Sequence, residues 1–493
     1  MPYVIAIDQS TSATKALLFD AEGRLIDRES RDHRQHYPQP GWVEHDAEEI
    51  WQNTRAAIGA LTARQQERLR EAVCLSLTNQ RETIVVFERG TGQPLHRAIV
   101  WQCRRGDPIC AEIRGRGGED LVRSRTGLKI DTYFSASKLK WLARERPEIA
   151  GKLRSGEALI GTMDTYLLYR LTGGRVFAAD STNASRTLLF DIGRLRWDEE
   201  LCALFDVPVK ALPEVRESAA RYGETDAGGA LAAPLPICGV MGDSQAALFA
   251  QRCFQPGTGK ATFGTGTSVL LNIGDQFRVS ERGSVTALAW VWRGRPVYAF
   301  EGIINFSAAT IEWLRNQLGL IRSVSEVEPL ATAVPDNGGV YLVPAFAGLS
   351  APHWSPDARA AILGMTAHTR REHIVRAALE SISYQVRDVL DAMRAEAGVG
   401  VQGLRGDGGA AANRFLMQFT ADLTGVEMRV SATPEASPLG AAVAGMLGMG
   451  VYGSLDEVVP PPGEEAVYRP SMPADQAARL YSGWQRAVRQ VLS

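Results

Sequence analysis

Two short apolar runs at the start of the chain, residues 4–7 and 16–20, flank a turn of small hydroxyl residues. Both runs are rich in β-forming residues, so the pattern predicts a β-hairpin. Backbone amides and Ser/Thr hydroxyls in such a turn can approach an anion, while Asp8 can hold a metal ion and Lys15 adds positive charge. Nucleotide phosphates with Mg²⁺ would suit this turn, although an ordinary surface hairpin would show the same pattern.

The same pattern recurs in the second half of the chain. Residues 260–273 again place a Gly/Thr/Ser turn between two extended runs. The repetition predicts two related lobes with a nucleotide between them, and chance similarity among Gly/Thr turns is the alternative. Neither turn is a complete fingerprint, because Gly259-Lys260 lacks the flanking residues of a P-loop and 264–266 lacks the third glycine of a dinucleotide fold.

An apolar strand is predicted to end in a dense polar cluster at residues 78–83, and in α/β folds such strand ends deliver side chains to a cleft. Arg81 and Glu82 combine a planar donor fork with an acceptor, which suits the adjacent hydroxyls of a neutral ligand. Trp101 or Tyr133 could pack against the C–H face of that ligand. A surface ion pair beside a core tryptophan is the competing interpretation, and sequence statistics favour it.

A single carboxylate stands between a predicted strand, residues 235–242, and a helix of small residues, 246–250. Asp243 therefore lies near a helix N-terminus, where its carboxylate can accept a substrate proton. A plain helix cap is an equally good interpretation of this residue.

Other polar clusters are interpreted as structural. Asp46 is expected to cap the helix that begins near residue 47, and Ser135 or Ser137 to cap an amphipathic helix. Residues 180–186 are interpreted as caps and turns.

Length and composition narrow the class of protein. At 493 residues the chain is too long for one core, and the Pro/Gly-containing segment 254–259 marks the predicted boundary between domains 1–253 and 254–493. With 54 basic and 56 acidic residues, neither nucleic acid nor a membrane is expected as a partner, and a homo-oligomer is left open. The chain shows no leader, no long apolar segment and six unpaired-looking cysteines, so we expect a cytoplasmic protein with reduced thiols.

Taken together, these motifs resemble the FGGY family of sugar and polyol kinases over nearly the whole chain. The segments that carry the resemblance, including both family signatures, are residues 41–46, 78–83, 99–105, 133–145, 180–187, 361–380 and 416–419. The resemblance implies an α/β fold of two actin-like, ribonuclease H-like lobes, each a mixed sheet flanked by helices, with the active site in the inter-lobe cleft.

The resemblance also implies a reaction and its residues. ATP, with Mg²⁺, would phosphorylate a small polyol at a primary hydroxyl, with glycerol as the expected acceptor. The acceptor would be bound by Arg81, Glu82, Trp101, Tyr133, Asp243 and Ser244, with Asp243 as the general base. The nucleotide would be bound by Thr11, Ser12, Lys15, Gly264, Thr265, Ala308, Gly409 and Asn413, and Asp8 would hold the metal.

Several positions depart from the family pattern. The departures in the nucleotide half are Ser10, Ala13, Ala308 and Glu312. Ser244 and Ser268 replace a glutamine and a phenylalanine that are usual in members acting on glycerol, which makes the expected acceptor pocket roomier and more polar. A tetritol, a pentitol or a ketose is therefore an alternative acceptor. A non-catalytic actin-like scaffold or sensor is a further alternative, which the combination of Arg81, Glu82 and Asp243 disfavours.

Overall fold

The computed structural model describes residues 2–431, 435–463 and 465–493. Within these ranges, no helix combines the length and the apolar character needed to cross a membrane. The strands are β1 Tyr3–Gln9, β2 Ala13–Asp20, β3 Leu25–Asp32, β4 Gln35–His36, β5 Glu44–His45, β6 Ala72–Asn79, β7 Ile84–Glu88, β8 Ala98–Ile99, β9 Ala158–Thr162, β10 Ala178–Asp180, β11 Phe190–Asp191, β12 Arg196–Trp197, β13 Glu214–Arg216, β14 Arg221–Thr225, β15 Leu235–Gly242, β16 Thr258–Phe263, β17 Thr267–Gly274, β18 Val285–Trp292, β19 Arg295–Ile304, β20 Tyr341–Val343, β21 Ala361–Leu363, β22 Gly403–Asp407, β23 Met428–Ser431 and β24 Glu465–Tyr468.

The helices alternate with these strands along most of the chain. They are α1 Ala47–Arg64, α2 Gln66–Leu69, α3 Asp107–Gly115, α4 Glu119–Thr126, α5 Ala136–Glu145, α6 Pro147–Ser155, α7 Met163–Leu171, α8 Ser181–Ala184, α9 Glu199–Leu204, α10 Asp243–Ala250, α11 Ala308–Asn316, α12 Val327–Thr332, α13 Arg371–Ala397, α14 Arg414–Thr424, α15 Ala436–Gly448 and α16 Ala474–Leu492. Short 3₁₀ turns cover Val209–Ala211, Val324–Glu326, Gly409–Ala412 and Leu455–Glu457.

Two large sheets share one topology. In the first lobe the order is β3-β2-β1-β6-β15, and in the second it is β19-β17-β16-β22-β23. In each sheet the first three strands pair antiparallel and the next two pair parallel. Each sheet also carries an antiparallel strand beyond its last parallel one, β14 or β24. The predicted fold of two related α/β lobes with mixed sheets is therefore confirmed, and the repeated turn belongs to a repeated sheet.

Strand register gathers the predicted polar residues at one edge of the first sheet. Asp8 on β1 pairs with Thr78 on β6, and Gly242 on β15 pairs with Asn79. Because these three strands are parallel, their carboxyl ends meet at the same edge. The turn between β1 and β2, residues 10–12, is expected to bind phosphate and is called the first phosphate turn below. It is therefore a neighbour of the cluster at 78–83 and of Asp243.

Helices α10 and α15 cross at the junction between the lobes. Helix α10 leaves the first sheet and packs also on β16, β17 and β18, whereas α15 packs on β15, β6 and β1 of the first lobe. Glycines allow this close approach: a Cβ atom at Gly440 would lie 1.8 Å from the carbonyl oxygen of Ala246, and one at Gly445 would lie 2.3 Å from Ser76 Oγ. The helix that begins with Asp243 is thus held against both lobes.

One predicted cap is confirmed and another is wrong. The carboxylate of Asp46 accepts hydrogen bonds from the amides of Glu48 and Glu49, which caps α1 as expected. Ser135 precedes α5 but makes no side-chain cap, because its own backbone is already helical with φ of −72° and ψ of −40°. Its hydroxyl instead donates to the carbonyl oxygen of Glu82 at 2.9 Å, while Ser137 lies inside the helix.

The contact between α10 and α15 can be tested with Gly440→Ala. The added methyl group would overlap the backbone of Ala246, so we expect the free energy of unfolding to fall by about 1–3 kcal/mol. Urea denaturation measures the change. Gly151→Ala is the matched control, since this helical glycine has open space at its Cβ position and should be neutral or slightly stabilising. Equal effects of the two substitutions would contradict the packing argument.

Candidate active site

Four buried charges lie where the first lobe meets β19 of the second. Arg186 Nε donates to Glu82 Oε1 at 2.7 Å, and Arg81 Nη2 donates to Glu301 Oε1 at 2.9 Å. Arg186 Nη2 also lies 2.7 Å from Glu301 Oε2, which closes the network across the lobes. The side chains of all four are at most 4% exposed. The alternative of a surface ion pair at Arg81 and Glu82 is therefore wrong.

The network balances two positive and two negative charges that are almost fully buried. Burial opposes the ionisation of Glu301, but Arg186 and Arg81 outweigh it and lower its pKa to about 2. Burial raises the pKa of Glu82, and the two guanidinium groups offset this only in part. Glu82 also has a φ of 62°, a conformation that non-glycine residues seldom adopt and that is enriched at functional sites.

Asp243 stands at the outer end of this network. Arg81 Nε lies 3.2 Å from Asp243 Oδ1, and the aspartate side chain is 41% exposed. Gln245 Oε1 accepts from the same guanidinium at 3.2 Å, and Ser437 Oγ donates to the carbonyl oxygen of Asp243 at 2.9 Å. Asp243 is the first residue of α10, after Gly242 at the cap position, and its Oδ1 also accepts from the Ser244 amide at 2.7 Å, as the cap interpretation allows. The carboxylate faces the cleft, fixed by Arg81.

An aromatic wall adjoins the charges. The rings of Trp101 and Tyr133 meet edge to face at 5.3 Å, and Trp101 Nε1 donates to Thr11 Oγ1 at 3.0 Å. Burial raises the pKa of Tyr133, so its phenol stays neutral. Lys138 Nζ donates to the carbonyl oxygen of Tyr133 at 2.9 Å and fixes the backbone there. Trp101 is partly buried and packs against a hydrophobic core cluster, so the alternative of a core tryptophan holds in part and its exposed remainder is the surface that a ligand could contact.

Two serines complete the acceptor side. Ser244 follows Asp243 directly and is half-buried. Ser268 lies on β17, paired with Thr262 on one side and Ile303 on the other. Its hydroxyl oxygen is buried and has no hydrogen-bond partner among the described residues. A hydroxyl group of a ligand would satisfy it.

The first phosphate turn is pinned through its carbonyl groups. The carbonyl oxygen of Thr11 accepts from His33 Nε2 at 2.9 Å and from Gln35 Nε2 at 3.1 Å, and that of Ser12 accepts from the His33 amide at 3.0 Å. Ser12 is exposed at the tip. Lys15 is not a free cation, because its Nζ donates to Glu435 Oε2 at 2.8 Å.

The second turn caps a helix. The carbonyl oxygen of Gly264 accepts from the amide of Ala308 and that of Thr265 accepts from Ala309, each at 3.1 Å. These bonds tie the turn to the start of α11 and leave Thr265 exposed. The turn therefore presents its side chain and amides, not its carbonyl groups, to the cleft.

The turn that contains Gly408 and Gly409 lies beside the hairpin formed by β16 and β17. A Cβ atom at Gly408 would lie 2.5 Å from the carbonyl oxygen of Phe263, and the residue has a φ of 90°, so glycine is required there. Gly409 is exposed, with open space around it. The side chain of Asn413 accepts from the Leu416 amide at 2.8 Å and caps α14.

Asp8 fits a divalent cation. It is buried, and its pKa is raised to about 6 by burial and by the nearby charges of Glu435 and Asp243, which outweigh the opposing effect of Lys15. A cation would relieve this excess of negative charge. Within residues 2–431, 435–463 and 465–493, no three Asp, Glu, His or Cys side chains form a complete metal cluster. A single buried carboxylate such as Asp8 is the kind of ligand that Mg²⁺ uses, together with water and phosphate oxygens.

Two charged residues of the network were not predicted. Arg186 lies in the cluster 180–186, interpreted as structural, and that interpretation holds for Asp180, which caps α8. Glu301 had a signal in the sequence, since it is a lone carboxylate within the apolar strand β19. A charge in a buried strand requires a partner, and here the partners come from the other lobe.

Glu301→Gln tests whether the network holds the lobes together. The substitution leaves two buried guanidinium groups facing one carboxylate, so we expect a loss of about 3 kcal/mol in the free energy of unfolding. Urea denaturation at pH 7 measures it. Glu224→Gln is the control, because the Arg221–Glu224 pair is 57% exposed on both sides and should matter little.

Wild type and Glu301→Gln are also expected to differ in how their free energy of unfolding depends on pH. The pKa of Glu301 falls from an ordinary 4.5 to about 2 in the folded protein, so its stabilising effect is present above pH 4.5 and is lost toward pH 2. The difference in stability between wild type and Glu301→Gln should therefore shrink as the pH falls through this range. A difference that stays constant would contradict the assignment.

Comparisons with known proteins show the family to which the chain belongs. The description of the FGGY family of carbohydrate kinases, N-terminal domain, matches residues 3–250, and that of the C-terminal domain matches residues 259–449. A protein of Carboxydothermus hydrogenoformans called glycerol kinase is 47% identical over 486 residues, covering 99% of this chain and 97% of its own. One of Rhodospirillum rubrum, with the same name, is 47% identical over 493 residues, covering 100% and 99%.

Solved structures extend the agreement to three dimensions. The crystal structure of Plasmodium falciparum glycerol kinase with ADP superposes with a TM-score of 0.94 at 35% identity, covering 100% of this chain and 99% of that one. A xylulose kinase from Lactobacillus acidophilus shares the fold, with a TM-score of 0.89 at 19% identity, covering 99% of each chain. The resemblance inferred from the motifs is confirmed, and the chain belongs to the FGGY family of carbohydrate kinases.

Proposed function

We propose that this chain transfers the γ-phosphoryl group of ATP to a primary hydroxyl of glycerol and so forms glycerol 3-phosphate. Family membership and the relatives named glycerol kinase support the reaction class and the acceptor. The observation that carries the proposal is the contact between Arg81 and Asp243 at 3.2 Å, anchored on the buried Glu301. An ATP-binding scaffold would not require a carboxylate beside a hydroxyl-binding fork.

The acceptor would be held by hydrogen bonds to one positively charged and one negatively charged side chain. Arg81 donates to the hydroxyl oxygens and Glu82 accepts from the hydroxyl protons, so adjacent OH groups are gripped together. Trp101 and Tyr133 cover the C–H face, and Ser244 adds a hydroxyl beside Asp243. Since Arg81 and Glu82 are already fixed in the buried network, little ordering remains when the acceptor binds.

Asp243 acts as the general base. Its carboxylate takes the proton from the acceptor hydroxyl while the oxygen attacks the γ-phosphorus, and the bond to the bridging oxygen of ADP breaks. The residue lies on a helix held by both lobes, which keeps the carboxylate at one place in the cleft. Positioning therefore contributes a large part of the rate, and a closed cleft keeps water from taking the place of the acceptor.

The two glycine and hydroxyl turns would bind the nucleotide. The residues assigned to it are Thr11, Ser12, Lys15, Gly264, Thr265, Ala308, Gly409 and Asn413. The Lys15 ammonium donates a hydrogen bond to the carboxylate of Glu435. Lys15 would therefore neutralise phosphate charge only if it broke this hydrogen bond or bound Glu435 and a phosphate oxygen together. Mg²⁺, held by Asp8 directly or through water, would neutralise charge on the phosphates.

The two domains would contribute different parts of the site. We propose that domain 1–253 binds the acceptor and contributes the first phosphate turn, and that domain 254–493 contributes the second turn and the adenosine site. We also propose that the protein works in the cytoplasm, where ATP is available and its six buried thiols stay reduced.

A longer polyol is a second candidate acceptor. The unpartnered hydroxyl of Ser268 favours it, because an additional hydroxyl group on the acceptor would satisfy that buried oxygen.

A panel of acceptors separates these candidates. Release of ADP is measured with glycerol, a tetritol, a pentitol and a ketose, and we expect the highest kcat/KM with glycerol. A tenfold preference for a longer polyol would replace the acceptor and keep the reaction class. ADP release that no acceptor raises above background would leave the scaffold as the better account.

Asp243→Asn tests the general base. Because the amide cannot take the proton, we expect kcat to fall by at least about 10²-fold, while the affinity for ATP, measured by calorimetry, stays within about twofold. Asp475→Asn is the matched control, since this aspartate also stands in the first turn of a helix and pairs with an arginine, but on the exposed α16. Wild-type turnover in Asp243→Asn would rule out the role.

A further inference from the structure

Lys260 is a buried lysine that has no carboxylate partner in the part of the chain that the structure describes. It lies on β16, and its residue is 2% exposed. Among the described residues, its only hydrogen bond joins Nζ to Thr262 Oγ1 at 2.6 Å, and no carboxylate oxygen lies within 4.0 Å of the ammonium. An ammonium group has three protons to donate, so two of them lack a partner inside the protein. A buried charge in this state is costly.

The other fully enclosed lysines are satisfied. Lys138 Nζ donates to two backbone carbonyl oxygens, at 2.9 and 3.2 Å. Lys140 Nζ donates to the carbonyl oxygen of Leu204 at 2.8 Å and lies 2.9 Å from Asp206 Oδ2. Lys260 differs from both, because among the described residues its ammonium meets neither a carboxylate oxygen within 4.0 Å nor a backbone carbonyl group. Its missing partner is therefore expected to come from outside the chain.

The strand register places this lysine on the surface of the second sheet that faces Asp243. Lys260 pairs with Leu270, which in turn pairs with Glu301, and cross-strand partners lie on the same face of a sheet. Glu301 bonds Arg81, which contacts Asp243, so this face is turned toward the acceptor site. Burial lowers the pKa of Lys260. The negative charges of Asp407 and Asp243 act in the opposite direction and offset only part of this change.

Other groups on this face also lack partners. Thr262 pairs with Ser268 on β17 and with Asp407 on β22. Ser268 Oγ and Asp407 Oδ1 are both buried without a hydrogen bond among the described residues. Two protons of Lys260 and the Ser268 hydroxyl are thus donors without acceptors among the described residues, and Asp407 Oδ1 is an acceptor without a donor on the same face. A phosphoryl group, with three acceptor oxygens, matches them in number and charge.

We propose that Lys260 is a further catalytic residue, whose ammonium binds the phosphoryl group as it passes from ATP to the acceptor. The proposal rests on the function proposed above. The acceptor oxygen forms a bond to the γ-phosphorus, the bond to the bridging oxygen breaks with its electron pair going to ADP, and the acceptor proton goes to Asp243. Lys260 keeps its protons and compensates charge on the phosphoryl oxygens from the second lobe, opposite the first phosphate turn.

Lys260→Met and Lys260→Gln, made in the full chain, test the proposal. Both remove the charge, and we expect kcat to fall by at least about 10²-fold and the affinity for glycerol 3-phosphate to fall by about tenfold. The dissociation constant of glycerol, measured by calorimetry without nucleotide, should stay within twofold, because the groups that grip the acceptor are untouched. Lys140→Met is the control, a buried lysine away from the cleft, and should keep both parameters.

The glutamine variant separates chemistry from structure. It can still bond Thr262 Oγ1, so a merely structural lysine would be replaced by it, whereas a phosphoryl-binding lysine would not. A kcat of Lys260→Gln within threefold of wild type overturns the proposal. A fall in kcat of at least about 10²-fold supports it, whether or not the methionine variant folds. Wild-type protein that does not turn over glycerol would instead refute the proposed function, since that measurement involves no substitution at Lys260.

Discussion

The ion pairs among Arg81, Arg186, Glu82 and Glu301 are the constraint on which the rest of the site depends. Removing four charges from water has a large cost that is offset only when each charge meets its opposite at hydrogen-bond distance. Three members come from the first lobe and one from β19 of the second, so the lobes can meet in only a narrow range of positions. The residues expected to bind the acceptor therefore lie at one of the places where the two lobes are held together.

This arrangement divides the cleft into two parts of different character. On the side of the expected acceptor, the four charges of the network are buried and already paired before any ligand binds, and Trp101 and Tyr133 beside them are partly buried. On the phosphate side, the tips of both turns are exposed, and Lys15 is held by Glu435 across 420 residues of sequence. A preorganised acceptor site beside two turns with exposed tips suits an enzyme that must hold a small neutral alcohol firmly and exchange a large anionic nucleotide.

The local features of the chain were predictable, and the long-range ones were not. Alternating apolar runs and small turn residues predicted both hairpins, and the glycine before Asp243 predicted its place at a strand end. The burial of Arg81 and Glu82 could not be read from the sequence, since it depends on Glu301, which lies 220 residues after Arg81. Statistics for isolated ion pairs favour the surface, and they fail where a second lobe supplies the counter-charge. Ser135 shows the same limit at short range, because a helical backbone excluded the cap that its sequence position suggested.

The central claim is that the acceptor lies between Arg81 and Asp243. A crystal structure of the protein with bound glycerol tests it most directly. We expect a primary hydroxyl oxygen within 3.2 Å of an Asp243 carboxylate oxygen, the contact distance that Arg81 Nε already shows to that carboxylate, and the neighbouring hydroxyls bonded to Arg81 and Glu82. Glycerol found elsewhere in the cleft, with no hydroxyl near Asp243, would contradict the account.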